Sequence, residues 1–104
     1  MWILQSATHD ADALTFRLAP GAIKTVGRAP RADFVVDAAL VSRLHCRLTA
    51  GESTVEVVDL SSTNGTFVND KRIRNATLSS GDRLRVGRVE LTIERRAAIA
   101  PADA

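Results

Sequence analysis

The 104-residue chain is poor in cysteine, histidine and aromatic side chains: it has one cysteine, two histidines and an aromatic fraction of 4% with no tyrosine. One thiol cannot form an intrachain disulfide, and with two histidines it leaves too few soft ligands for a structural zinc site. Single-stranded nucleic-acid binders stack bases on aromatic side chains. We therefore expect no metal and no nucleic-acid partner. The main alternative interpretation of the whole chain is a basic nucleic-acid-binding β-barrel, which would need such aromatic side chains.

Long apolar runs are also absent. A membrane-spanning helix needs roughly 18 to 20 consecutive apolar residues, and no run in this sequence approaches that length. The opening MWILQ is followed at once by the polar SATHDAD, which is unlike a signal peptide. These features, with the single thiol, predict a cytoplasmic protein without membrane contact. Met1 opens the first strand-like segment, which favours a domain at a natural N-terminus.

Patterns typical of catalytic sites are missing as well. The sequence contains neither Gly-x-x-x-x-Gly-Lys nor Gly-x-Ser-x-Gly, the motifs of P-loop enzymes and of α/β-hydrolases. Cys46 and His45 are neighbours on a predicted strand and point to opposite faces, so they cannot pair as thiolate and base. A triad of Ser42 and His45 with Asp33 or Asp59 has no α/β pattern around it. We expect neither enzymatic activity nor a cofactor.

The sequence does contain many short strand-like segments separated by Gly, Pro, Asn, Asp and Ser. In Val89 to Glu94, apolar and polar residues alternate, as in a strand with one buried face. No sustained helical pattern occurs before position 95, so we predict an all-β sandwich or barrel. One domain is expected over residues 1–95, followed by a flexible tail over 96–104. Nine strands are predicted: Met1 to Gln5, Leu14 to Leu18, Ile23 to Val26, Phe34 to Val36, Cys46 to Thr49, Val55 to Asp59, Thr66 to Val68, Arg83 to Val86 and Val89 to Glu94.

Three loop-like segments carry groups suited to phosphate. Of the fourteen basic residues only Lys24 and Lys71 are lysines, and the net charge is +2, so arginine placement matters more than overall charge. The segments are Gly27–Arg28, Ser42–His45 and Ser61–Thr66. Loops at one end of a sandwich gather in space, and these supply guanidinium, hydroxyl and backbone N–H donors. A single site for a small anionic group is predicted.

The ordered set GR, SRLH and STNGTFVN resembles the signature of forkhead-associated (FHA) domains, and the resemblance covers roughly Ile23 to Arg95. It implies an FHA-type β-sandwich of two antiparallel or mixed sheets with functional loops at one end. It also implies a binding module for phosphothreonine-containing proteins or peptides, acting as a signalling adaptor downstream of a Ser/Thr protein kinase. We expect this module to be a monomer. The alternative is an FHA fold used as a phosphate-independent scaffold or dimerisation module.

The resemblance also implies roles for individual residues. Arg28 and Ser42 would bind the phosphate, Arg43 would add a second contact, and Thr63 would bind phosphate through its hydroxyl or backbone N–H. Asn64 would hydrogen-bond the peptide main chain.

Four further residues would structure the site: Gly27, His45, Gly65 and Asn69. The resemblance implies that His45 braces the site from within and that Asn69 connects loops. From the residues alone, Gly27 is either a turn glycine with positive φ or a site-shaping one. Asn64-Gly65 is also a strong signal for a two-residue hairpin.

Overall fold

The computed structural model of the protein describes residues 1–6 and 14–96. The tail expected over 96–104 lies, apart from Arg96, outside the described residues. Within the described part no helix has the length and hydropathy that a membrane crossing needs. The strands are β1 Trp2–Ser6, β2 Thr15–Leu18, β3 Ile23–Gly27, β4 Phe34–Val35, β5 Cys46–Ala50, β6 Val55–Asp59, β7 Thr66–Val68, β8 Lys71–Ile73, β9 Asn75–Leu78, β10 Arg83–Val86 and β11 Val89–Arg95.

The strands form two sheets. One has six strands in the order β2-β1-β11-β10-β7-β8, and the other has five in the order β4-β3-β5-β6-β9. β3 and β4 are parallel, and the other strand pairs are antiparallel. The predicted β-sandwich of antiparallel and mixed sheets is confirmed.

Alternation along the strands places the core between the sheets. In β5, Cys46, Leu48 and Ala50 are buried, whereas Arg47 is exposed. The inward residues of both sheets, among them Trp2, form one apolar cluster. The Cys46 thiol is part of it, and burial, with a smaller contribution from the nearby Asp59 charge, raises its pKa to about 12. This thiol is therefore a core group that stays protonated near neutral pH.

All nine predicted strands are present, with ends shifted by at most about one residue. β8 and β9 were not predicted. Both are short strands at the edges of their sheets, and β8 reads Lys-Arg-Ile with only Ile73 turned towards the core. With only three and four residues, these strands are too short for apolar alternation to stand out from the neighbouring loops.

The hairpin expected at Asn64-Gly65 is not formed. β6 and β7 belong to different sheets, so this dipeptide lies in a loop that crosses between them. A two-residue hairpin instead lies five residues later, where Asn69 and Asp70 have φ of 50° and 70° and connect the paired strands β7 and β8. Positive φ at both central residues is the geometry that favours a two-residue hairpin. The crossing leaves Asn64 available to the loops at the end of the sandwich.

Candidate phosphate-binding site

Three loops at one end of the sandwich enclose an open cleft of about 790 Å³. In chain order, the first is the β3–β4 loop, the second the β4–β5 loop and the third the β6–β7 loop. Arg28, Ser42, Arg43, Thr63 and Asn64, the residues predicted to contact a phosphopeptide, all line it. Four residues predicted to structure the site are not in the lining: Gly27, His45, Gly65 and Asn69.

Gly27 lets two of these loops touch. It is the last residue of β3 and its φ is not positive, so the interpretation as a turn glycine is wrong. A Cβ atom here would overlap the backbone of Arg43 and Leu44. The next two residues bond across the contact, since the N–H of Arg28 donates to the carbonyl of Ser42 at 2.9 Å and that of Ala29 to Arg43 at 3.2 Å.

The Arg28 side chain is held by one hydrogen bond. Its Nε–H donates to the carbonyl of Val41 at 3.1 Å. Within the described ranges no carboxylate forms an ion pair with Arg28. A guanidinium has five N–H donors, so the four on its terminal nitrogens stay available in the cleft. Because Nε is fixed in advance, ordering this side chain on ligand binding costs less conformational entropy.

Ser42 joins the second loop to the third. Its Oγ accepts the backbone N–H of Thr63 at 3.1 Å. The hydroxyl hydrogen of Ser42 therefore remains free to donate to an anion beside Arg28. Because the Thr63 N–H is already bonded, its side-chain hydroxyl is the group that Thr63 offers in this conformation. Arg43 is exposed and adds a second guanidinium to the cleft.

His45 is completely buried beneath the cleft. Its Nδ1 accepts the N–H of Ser42 at 3.0 Å, and its Nε2–H donates to the carbonyl of Gly65 at 2.8 Å. These partners fix one neutral tautomer, which braces two loops against each other. Both ring nitrogens are occupied, so His45 cannot serve as a base for Ser42 Oγ. Asp33, the other acid considered for a triad, instead accepts bonds from Thr25.

Asp59 organises the third loop, a role that sequence reasoning missed. Its Oδ1 accepts the hydroxyls of Ser62 at 2.5 Å and Thr66 at 2.6 Å, and its Oδ2 accepts the Ser62 N–H at 3.2 Å. Ser62 Oγ in turn accepts the N–H of Gly65 at 3.0 Å. Burial raises the pKa of Asp59, but the bonds from Ser62 and Thr66 outweigh it, so the pKa lies below its usual value. An Asp followed by Ser at +3 is a turn signal that marks this network.

Asn64 is tied to the second loop. Its Nδ2 donates to the carbonyl of Leu40 at 3.1 Å. Leu40 is 46% exposed and has a φ of 71°, which is strained for a bulky residue. Asn64 keeps its Oδ1 and one N–H for a peptide main chain. Gly65 has a φ of 91°, and a Cβ there would lie 2.7 Å from Nε of Arg72.

Asn69 lies away from the cleft but does join two turns. Its Oδ1 accepts the N–H of Arg83 at 3.0 Å, and its Nδ2 donates to Asp82 at 3.2 Å. These bonds connect the β7–β8 turn to the β9–β10 turn. Its influence on the cleft therefore passes through the strands.

A family model of the FHA domain matches residues 24–87. The chain belongs to the FHA family. The chain is 40% identical over 67 residues to an oxoglutarate dehydrogenase inhibitor of Corynebacterium diphtheriae, covering 64% of this chain and 47% of that protein. It is 37% identical over 70 residues to the glycogen accumulation regulator GarA of Mycobacterium tuberculosis, covering 67% of this chain and 43% of that protein. The match thus spans about half the length of these relatives.

Solved FHA domains match nearly the whole chain. The FHA domain of CT664 from Chlamydia trachomatis superposes with a TM-score of 0.86 at 27% identity, covering 92% of this chain and 98% of that one. An FHA domain solved in a study of phosphothreonine-dependent FHA domain interactions gives 0.81 at 30% identity, covering 91% and 96%. The similarity therefore covers a complete FHA domain.

Proposed function

We propose that this FHA domain binds phosphothreonine in an extended peptide and acts as an adaptor downstream of a Ser/Thr protein kinase. The observation that carries the proposal is the Arg28 guanidinium, which is fixed through Nε on Val41 and lines the same cleft as Ser42. In this arrangement Arg28, Ser42, Arg43 and Thr63 contact the phosphate. Asn64 bonds the peptide main chain.

The expected affinity is modest. A phosphothreonine carries close to two negative charges and three acceptor oxygens at neutral pH. Three or four charge-assisted hydrogen bonds of about 1.5–3 kcal/mol each, reduced by the entropy of ordering a flexible peptide, give micromolar binding of about 8 kcal/mol. A preference for phosphothreonine over phosphoserine rests on one methyl group, which contributes at most about 1–3 kcal/mol.

The relatives support a regulatory setting. One is an inhibitor of oxoglutarate dehydrogenase and another regulates glycogen accumulation. Both are about twice as long as the matched segment, so their targets do not transfer with the domain. We infer an adaptor role in the cytoplasm, where a reducing environment suits a single unpaired thiol.

Peptide binding tests the proposal. Fluorescence anisotropy or calorimetry compares a degenerate phosphothreonine library with the same library unphosphorylated or carrying phosphoserine. Arg28→Ala should weaken binding by about 2–5 kcal/mol, because the remaining donors face a dianion without its main partner. Arg47→Ala is the matched control. Arg47 is exposed on β5, and its substitution removes the same charge. It should bind nearly as the unmodified protein does.

Two results would contradict the proposal. If both libraries bind equally, the surface that binds is independent of phosphate, and sedimentation would then test for dimerisation. If Arg28→Ala and Arg47→Ala weaken binding equally, the arginines act only through net charge and no specific phosphate site exists.

A further inference from the structure

The cleft continues past the arginines into a second depression. This depression has a volume of about 530 Å³ and is lined by Arg28, Ala29, Pro30, Val35, Asp37 and Arg43. Arg28, Asp37 and Arg43 line both spaces. A phosphate held between the two arginines would therefore have room beside it on the Pro30 and Val35 side. That room is large enough to admit a neighbouring side chain of the ligand.

The β4 wall of the depression is held by packing and hydrogen bonds on both sides of Val35. Phe34 enters the core and stacks on Phe16 with ring centroids 4.6 Å apart, which leaves the next residue, Val35, facing out. Before it, Asp33 and Thr25 exchange three hydrogen bonds of 2.9–3.1 Å. After it, the N–H of Val36 donates to the carbonyl of Gly27 at 2.8 Å. The depression is therefore formed before any ligand arrives.

Asp37 places a carboxylate at the boundary of the two spaces. Its side chain is exposed, and it takes part in none of the ion pairs formed within the described residues, 1–6 and 14–96. Arg28 and Arg43 contribute two positive charges, and a bound phosphate dianion neutralises both. Among the charged residues that line both spaces, Asp37 then leaves one negative charge uncompensated next to the phosphate. A cation from the ligand would restore neutrality.

We propose that Asp37 selects ligands in which a lysine or arginine lies close to the phosphothreonine and occupies the second depression. The inference rests on the proposed function and adds to it a residue preference. The aliphatic stem of a long basic side chain packs on Val35 and Pro30, while its charged head reaches Asp37. A second phosphate fits this space poorly, because it would face both Asp37 and the first dianion.

A positional scan tests the inference. The host is an uncharged phosphothreonine peptide in which lysine, methionine or glutamate is placed singly at each position within about three residues on either side. At one position lysine should bind about two- to five-fold more tightly than methionine, the size of a partly exposed charge pair, and glutamate more weakly. Asp37→Asn should abolish the difference, and Asp37→Lys should reverse it in favour of glutamate. Glu52→Gln, in an exposed turn, is the charge-matched control.

The outcomes separate the two proposals. Phosphothreonine-dependent binding with no lysine preference, or with one that persists in Asp37→Asn, overturns the role of Asp37 alone. So does a uniform gain in affinity for every peptide in Asp37→Asn, because Asp37 would then only repel the phosphate. Loss of phosphothreonine dependence in the unmodified protein overturns the proposed function, and the preference with it.

Discussion

The carbonyl oxygen of Arg43 lies 2.0 Å from the point that a Cβ atom on Gly27 would occupy. Since that oxygen belongs to the backbone, it cannot swing away as a flexible side chain would. The arginine on each side of this contact, Arg28 and Arg43, lines the cleft. Their spacing is thus set by the absence of a side chain between their loops.

Gly27→Ala should therefore impair binding as well as stability. Forcing a methyl group into this contact costs about 1–3 kcal/mol of folding free energy and separates the two arginines. Thermal unfolding and phosphopeptide affinity, measured well below the unfolding temperature, check this. Gly81→Ala is the control, because its φ of 95° strains alanine but a Cβ there meets nothing within 4 Å. It should lose similar stability yet keep its affinity, and equal losses of affinity in both variants would contradict the prediction.

Ser42→Ala should weaken phosphopeptide binding more than it weakens the fold. The hydroxyl offers its hydrogen to the ligand and accepts the Thr63 N–H at 3.1 Å, so the variant loses a donor and loosens the third loop. A hydrogen bond to a charged group is worth about 1.5–3 kcal/mol, which corresponds to a loss of roughly 10- to 150-fold in affinity. Ser53→Ala, in an exposed turn, is the control for calorimetric titration. An affinity for Ser42→Ala within twofold of that of the unmodified protein would contradict the role.

Affinity should also depend on the ionisation of the ligand. The second pKa of the phosphate is near 6, and the arginines favour the dianion. Binding should therefore be constant above about pH 7 and weaken as the pH falls through 6, because free peptide becomes a monoanion. Anisotropy titrations between pH 8 and 5 measure this, with circular dichroism confirming that the domain stays folded. An affinity that is flat down to about pH 5 would contradict selective binding of the dianion.

The residues that line the cleft can be predicted from the sequence better than the contacts that hold its loops in place. Arg28, Ser42, Arg43, Thr63 and Asn64 share one cleft, as loops at one end of a sandwich should. The supports depend on contacts between segments distant in sequence. The exclusion of a side chain at Gly27 by the backbone of Arg43, 16 positions later, is an example.

Two errors have a common physical origin. The hairpin expected at Asn64-Gly65 and the missed strands β8 and β9 all concern where the chain passes between sheets. The Asn-Gly pair favours a hairpin locally, but in the crossover only Gly65 of this pair has a positive φ, whereas both central residues of the Asn69-Asp70 hairpin do. Pairing partners decide between them, and these become visible only in the assembled sheets.

Asp59→Asn provides the sharpest test of the network beneath the third loop. An amide in place of the carboxylate turns one acceptor into a donor, which then faces the N–H of Ser62. We expect a loss of about 1–3 kcal/mol in the free energy of unfolding at neutral pH. Phosphopeptide affinity should fall with it, because the same loop carries Thr63 and Asn64.

The dependence of this loss on pH identifies the carboxylate as its cause. The pKa of Asp59 is lowered in the folded protein because the bonds from Ser62 and Thr66 outweigh the effect of burial. Its contribution is therefore complete above the unfolded value of about 3.9 and disappears as the pH falls through the lower folded value. Urea unfolding should show a constant difference between the two proteins from about pH 5 to 8 and a shrinking one below about pH 4. Glu52→Gln should stay within about 0.5 kcal/mol of the unmodified protein at neutral pH. A difference for Asp59→Asn that persists undiminished to pH 3 would mean that shape, and not charge, holds the loop.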